Sequence, residues 1–298
     1  MTIIRHGVNR ETCNKATAGS ERIKQFLRRA IICCMVLGNA STWAAGQLMV
    51  APTRVIFTDR DRSATVNLIN TGDKTTKYRI SFVNKRMNDK GEFEEVVTPR
   101  PGEFFSADMI RYSPRMVELP PGKSQTIRLM LRKPANLEEG EYRSHLLFRA
   151  LPPETKNSIK SLAPSDDNKL TIQLTPVIGV TIPVIVRHGK LTAQIQLDNL
   201  SLSETPDPKV PLILGLSLHR EGNRSVYGDI TALFKPAGGK ELVIGKARGI
   251  AVYTPNHVRH IRMRLQPPAR LNLKDGILRV VFEESNGGVT AKASANLK

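Results

Sequence analysis

The chain has 298 residues, of which 40% are hydrophobic, enough for the cores of one large or two ordinary domains. Its 45 lysines and arginines outnumber 27 aspartates and glutamates, a net charge of +18 that favours acidic partners. The basic residues are scattered along the sequence with little aromatic interleaving. We therefore expect a solvated basic exterior and no nucleic-acid binding.

The N-terminus has the order of a secretory signal peptide. Three basic residues, Lys24, Arg28 and Arg29, precede a short apolar run, and small residues follow it up to Ala44 and Ala45. This order predicts a signal peptide in residues 1–45, cut after Ala44 or Ala45, and export of the rest. The run is too short to span a membrane as a helix, so we expect no stable membrane insertion. An uncleaved anchor or an ordered N-terminal helix is the alternative.

All three cysteines, Cys13, Cys33 and Cys34, lie in this leader. The exported chain would then contain no thiol. That excludes disulfides, cysteine nucleophiles and metal sites built on thiolates.

From Gln47 onward short segments alternate apolar and polar residues between turns rich in Gly, Pro and Asn. The clearest alternating segments run through residues 64–68, 78–82, 127–131, 191–197, 212–218, 261–265 and 278–282. Period two indicates strands, and this spacing predicts an all-β fold of two antiparallel sandwiches. We place the domains at 46–187 and 188–298, joined near Gly189.

The most informative segment, residues 169–187, follows the polar stretch 152–168. Its alternating apolar residues are Leu170, Ile172, Leu174, Ile178, Val180 and Ile182. They predict a strand far longer than the usual five or six residues. Two interpretations follow, the last core strand of a sandwich or, at its free end, a strand offered to another protein, and we expect both to hold for different parts of the segment.

Nothing in the sequence predicts an active site. The pair His257 and His260 lacks a third ligand at a useful offset, and no serine lies on a strand-to-helix elbow. Gly238 and Gly239 form a hairpin turn rather than a phosphate loop. We therefore predict no enzyme, no metal, no cofactor and no small-molecule substrate.

Four ordered motifs carry a family resemblance. They are Pro-Thr-Arg-Val-Ile-Phe at 52–57, Leu-Pro-Pro-Gly-Lys-Ser-Gln-Thr-Ile-Arg-Leu at 119–129, Glu-Tyr-Arg-Ser-His-Leu-Leu-Phe at 141–148, and the long alternating strand. In this order, behind a signal peptide, they resemble the periplasmic chaperones of the chaperone–usher pilus pathway, the PapD type. The resemblance covers nearly all of the exported chain.

The resemblance implies two immunoglobulin-like domains set at an angle, with a cleft between them. It also implies a role: a pilin subunit that lacks one strand borrows a strand from the chaperone until the outer-membrane usher takes the subunit. Leu170, Ile172, Leu174 and Ile178 are the candidate donor residues, and packing in their own domain is the alternative. The alternative function is a secreted immunoglobulin-like binding or adhesion module, which an aromatic content of 5% disfavours.

Family members also hold the subunit's C-terminal carboxylate with two basic residues in the cleft. Arg54 matches the first. Where the family has a lysine on the long strand, pairing the sequences without gaps gives Gly179. Arg187 at the end of that strand is one candidate for the second cation, and Arg143 and Arg149 on the neighbouring strand are others. In this respect the segment 179–187 is similar to the corresponding strand of archaic-type chaperones.

Overall fold

The computed structural model is almost entirely β. It describes residues 48–152, 179–206, 212–268, 271–285 and 287–297. The predicted signal peptide with its cysteines lies outside the described residues. Within them the only helix is a 3₁₀ turn, Ala107–Met109. No helix in the described part is long and apolar enough to cross a membrane.

The first sandwich contains strands β1 to β11. Their bounds are β1 Leu48–Ala51, β2 Val55–Phe57, β3 Ser63–Asn70, β4 Thr76–Val83, β5 Lys85–Met87, β6 Phe93–Glu95, β7 Ile110–Ser113, β8 Met116–Leu119, β9 Ser124–Leu131, β10 Gly140–Ala150 and β11 Gly179–His188. One sheet has the order β1-β3-β9-β7 and the other β2-β11-β10-β4-β8, while β5 and β6 form a separate hairpin. All pairs are antiparallel except β2 with β11.

The second sandwich contains the remaining strands. They are β12 Ala193–Glu204, β13 Leu212–Gly222, β14 Val226–Pro236, β15 Leu242–Val252, β16 Val258–Leu265, β17 Gly276–Glu284 and β18 Thr290–Leu297. The sheets have the orders β12-β13-β16 and β15-β14-β17-β18. The predicted all-β fold of two immunoglobulin-like sandwiches is therefore confirmed. The proposed domain limits, 46–187 and 188–298, stay a prediction.

Each sandwich encloses its own core, because alternate residues of each strand point inward. Phe57, Leu68 and Phe148 are fully buried in the first core, and Leu218 and Phe234 in the second. A third, small cluster of Met87, Ile185, Ala251 and Tyr253 joins residues of both sandwiches. This junction contains the polar groups described next.

Candidate functional site

Strand β10 is buried on both faces, although its polar and apolar residues alternate as in a strand with one solvent-exposed face. Tyr142, Leu146 and Phe148 point into the core of the first sandwich. The opposite face carries three polar residues, each at most 5% exposed: Glu141, Arg143 and His145. Burial of a polar face requires partners for its charges, since an uncompensated buried charge is costly.

Arg54 lies between β1 and β2 and reaches across to the second sandwich. Its Nη2 donates a hydrogen bond to the hydroxyl of Tyr253 at 3.0 Å. Its Cζ lies 3.2 Å from the centroid of the Tyr227 ring, a cation–π contact. No described carboxylate forms a salt bridge with Arg54. The guanidinium is therefore held in place by two aromatic side chains and no acidic one.

Arg143 contacts the same tyrosine from the first sandwich. Its Cζ lies 4.1 Å from the centroid of the Tyr253 ring, and its Nη2 donates to the carbonyl of Lys85 at 3.1 Å. Its Nε and Nη1 are buried without a hydrogen-bond partner in the described structure. Burial lowers the pKa of Arg143, and Tyr253, followed by Glu141 and Glu103, opposes this effect. Two cations thus converge on Tyr253, and one of them has unused donors.

His145 and the β5–β6 hairpin close one side of this cluster. The His145 ring meets Phe93 edge-on at 5.3 Å, and Phe93 in turn lies 6.0 Å from the Tyr253 ring. Burial, with a contribution from Arg143, lowers the pKa of His145 to about 3. This histidine is therefore neutral at ordinary pH.

Arg187 has a different environment. Its Nε donates to the buried carboxylate of Glu141 at 3.1 Å. The same carboxylate accepts hydrogen bonds from the amide of Ser225 at 3.1 Å and from its hydroxyl. Arg187 Nη2 also donates to the Ser225 carbonyl at 3.3 Å. Arg187 thus already has a carboxylate partner, in a network that connects the two sandwiches.

The strand register locates the other candidate positions. Val184 of β11 pairs in parallel with Val55, so Pro183 lies at the level of Arg54. Gly179 is four residues away, about 13 Å along the strand, and pairs with the exposed Arg149. A side chain at Gly179 would therefore lie far from Arg54, and the sequence pairing that placed the family's lysine there does not match the structure.

The outer edge of β11 is only partly covered. On one side β10 pairs with it from Gly179 to His188, but on the other side β2 pairs with Val184–Val186 alone. No described strand pairs with this side of Gly179–Pro183. The predicted donor residues Leu170, Ile172, Leu174 and Ile178, which come just before this segment, lie outside the described residues. Farther along β11, Ile182 and Val186 are buried in the first core.

Chemically, this junction fits an anionic group beside an extended chain. Arginine presents planar, always-charged donors that match a carboxylate. The half-open strand edge supplies backbone groups in the same region. Among the described residues no group of three or more His, Cys, Asp and Glu could hold a metal ion.

Sequence reasoning did not name Tyr227, Tyr253 or Glu141 as site residues. The tyrosines are among only five in the chain, and each directly follows a valine, which gives no signal of a binding site. Of these three, only Glu141 stands out in the sequence, because it begins the motif at 141–148 and lies on the same strand face as Arg143 and His145. Three polar residues on one face of a strand usually indicate solvent, so their burial was not expected.

These features define a two-domain β-sandwich protein with a basic junction next to a half-covered strand edge. Residues 47–191 match the family model described as pili and flagellar-assembly chaperone, PapD N-terminal domain. Over these residues the chain matches that family, and the resemblance stated from the sequence is confirmed.

Several solved structures are similar to this chain. The YadV chaperone shares 16% identity over 85% of this chain and 100% of its own, with a TM-score of 0.42. The CsuC–CsuE chaperone–tip adhesion subunit complex of archaic Csu pili from Acinetobacter baumannii shares 14% identity over 85% of this chain and 100% of its own, with a TM-score of 0.42. The structure of the Salmonella enterica SafA pilin in complex with the SafB chaperone shares 15% identity over 84% of this chain and 96% of its own, with a TM-score of 0.38. No curated protein matches.

Proposed function

We propose that this protein is a periplasmic, non-enzymatic chaperone that caps pilin-like subunits and delivers them to an outer-membrane usher. It donates the strand that includes Leu170, Ile172, Leu174 and Ile178 to the groove of an incomplete subunit sandwich. Membership of a pilus-assembly chaperone family supports this role. The observation that carries the proposal is the half-covered edge of β11, which begins at Gly179, directly after these residues.

The energetics are reasonable for a transient complex. Three large aliphatic side chains that become fully buried contribute roughly 5–9 kcal/mol before costs. Loss of translational freedom and ordering of the donor segment reduce that sum. Backbone pairing along the strand adds register and covers the subunit's unpaired edges, which would otherwise promote aggregation.

We further propose that Arg54 and Arg143 bind the subunit's C-terminal carboxylate. Within the described residues the polar and cation–π contacts of Arg54 are with Tyr253 and Tyr227, and Arg143 has two buried donors without a described partner. A carboxylate between them would satisfy those donors and neutralise a buried charge. Arg187 is less suited, because Glu141 already occupies its guanidinium.

The test of strand donation compares matched substitutions. The cognate subunit is first identified by co-purification from a periplasmic extract and mass spectrometry. Ile172→Glu and Leu174→Glu should leave the unfolding midpoint nearly unchanged and abolish subunit capture, because a buried unpaired carboxylate costs several kcal/mol in the subunit's groove. The control is Ile182→Glu, which places the same charge in the chaperone's own core at a residue 3% exposed.

Two results would contradict this proposal. If Ile172→Glu and Leu174→Glu lose as much stability as Ile182→Glu, these residues belong to the core. If both variants are stable and still capture the subunit, another surface binds it.

A further inference from the structure

A second basic site lies on the second sandwich, and Lys90 of the β5–β6 turn completes it. It is a pocket of about 450 Å³ between the edge strands β15 and β16. Six of its lining residues are basic or imidazole side chains: Lys90, Lys246, Arg259, His260, Arg262 and Arg264. No carboxylate is present among the described residues that line it. Such a concentration of one charge sign favours an anionic ligand.

The pocket also has an apolar floor. Ala247, Ile250, Ile261 and Met263 line it as well, and all four pack in or against the core of the second sandwich. A small inorganic anion would gain no binding energy from contact with these apolar side chains. A ligand that alternates acidic and apolar groups would use both the floor and the rim.

The edge of β16 that faces this pocket has no described backbone partner at Arg262, whereas the carbonyl of Arg264 lies against Gly245 of β15. At one end the amide of His260 donates to the carbonyl of Asp89 at 2.7 Å, and at the other the amide of Gln266 donates to the carbonyl of Ile244 at 2.7 Å. These residues are six apart, so the period of two points the amides and carbonyls of Arg262 and Arg264 the same way. The described part of the chain has no strand that pairs with β16 on this side.

We propose that this pocket binds an extended acidic peptide segment of a partner protein, which pairs with the backbone of β16 at Arg262 and contacts the side chains of Arg262 and Arg264. Backbone pairing fixes the direction of the segment, as in other cases of strand addition. Its acidic side chains face the basic rim, and its alternate apolar side chains face the floor. The site is independent of subunit capture at β11.

The test uses a fluorescent ten-residue peptide in which Glu and Val alternate, titrated into the purified protein by anisotropy. Arg262→Glu with Arg264→Glu should weaken binding at least tenfold. The control, Arg111→Glu with Arg128→Glu, makes the same charge change at two exposed arginines of the first sandwich and should change binding less than twofold. Equal losses in both double variants would mean non-specific attraction to a basic protein and would overturn the proposal.

Two further measurements separate backbone pairing from charge alone. A peptide of equal charge with Pro in place of alternate Val residues should bind at least tenfold more weakly, because Pro cannot donate to a ladder. In the wild-type protein, where no substitution can disturb folding, the amide of Arg262 should become protected from hydrogen exchange when the Glu–Val peptide binds. Equal binding of the Pro peptide, or no added protection, would contradict strand addition.

Two other ligands give distinct results. Displacement of the peptide by inorganic phosphate at millimolar concentration would assign the pocket to a small anion. Protection of the same amide by phosphatidylglycerol vesicles would assign it to a lipid surface.

Discussion

At the scale of single residues, Arg143 links stability to binding. Its side chain is 5% exposed, and two of its donors have no partner in the described structure. Such a group is costly to the protein on its own, since a buried donor without a partner costs about 1–3 kcal/mol. Its contacts with Tyr253 and with the Lys85 carbonyl offset part of that cost. An arginine in this position is easier to explain by a ligand than by folding.

We therefore expect Arg143→Met to keep or raise the free energy of unfolding while it lowers subunit affinity at least a hundredfold. Loss of one partner of a desolvated ion pair typically costs about 3–5 kcal/mol. Arg54→Ala should lower affinity similarly but also cost about 1 kcal/mol of stability, because it removes the contacts with Tyr227 and Tyr253. Urea denaturation and subunit titration measure the two effects.

The control for both is Arg128→Ala, an exposed arginine on β9 that should change neither quantity. Unchanged subunit affinity in both Arg143→Met and Arg54→Ala would mean that strand pairing alone holds the subunit.

His145 gives the fold an acid-sensitive group. Its folded pKa, about 3, lies below its ordinary value of 6.5 because it is buried. Between these values the unfolded chain binds more protons, so the free energy of unfolding falls as pH drops from about 6.5 towards 3. The loss should total about 3–5 kcal/mol. His145→Leu should flatten this slope in denaturant titrations at several pH values, whereas the exposed His257→Leu should keep it. An unchanged slope in His145→Leu would refute the assignment.

Sequence reasoning named Arg54 as the first cation but could not choose among three candidates for the second, and all of these assignments stay predictions. Arg54 lies in a motif whose position near the first strand is fixed by local sequence. Arg143, Arg149 and Arg187 differ only in what covers them. The burial of Arg143 depends on Tyr253, which is 110 residues away in the chain, and no local pattern indicates that contact.

At the scale of elements, clear alternation predicted strands well. The segments expected at β3, β4, β9, β13, β16 and β17 are all strands. Strands β14 and β18 were not named. Gly228 interrupts the apolar alternation of β14, where a Cβ would lie 2.0 Å from the Glu283 carbonyl oxygen of the neighbouring strand. The inward residues of β18 are small, Ala291 among them, so its apolar signal is weak.

The β5–β6 hairpin is a separate element that connects the sandwiches. Gly91 in its turn has a φ of +85°, and a Cβ there would clash with the Arg259 guanidinium of β16. Gly122 has a φ of +68° and nothing within 4 Å of its Cβ position. Replacing either glycine by Ala should lower the free energy of unfolding by about 1 kcal/mol, because a positive φ is unfavourable for Ala.

Gly91→Ala should cost about 1 kcal/mol more than Gly122→Ala, since it displaces Arg259 from its hydrogen bond with the Ala251 carbonyl at 2.8 Å. Urea denaturation of the two variants measures the difference. Equal losses would show that the hairpin turn adds no stability through this contact.

At the scale of the whole molecule, Glu141 connects the two sandwiches. Its side chain is fully buried and binds Arg187 of the first sandwich and Ser225 of the second. Glu141→Ala should lower the free energy of unfolding by about 3–5 kcal/mol, because it leaves Arg187 without its partner. It should also separate the unfolding of the two sandwiches into two calorimetric transitions.

The matched control is Glu241→Ala, whose partner Arg279 has a side chain 41% exposed. Loss of that pair should cost less than about 1 kcal/mol. A similar, single transition in both variants would show that the junction does not depend on Glu141.

Arg54 and Arg143 both contact Tyr253, and this has a consequence for the release of a subunit as well as for its capture. Both arginines belong to the first sandwich, so in the empty protein two like charges lie beside one side chain of the second sandwich and repel each other. A carboxylate bound between them would replace that repulsion with attraction, so the client would stabilise its chaperone while the chaperone completes the client. When the subunit leaves, the repulsion returns, and the site is again ready to bind a carboxylate.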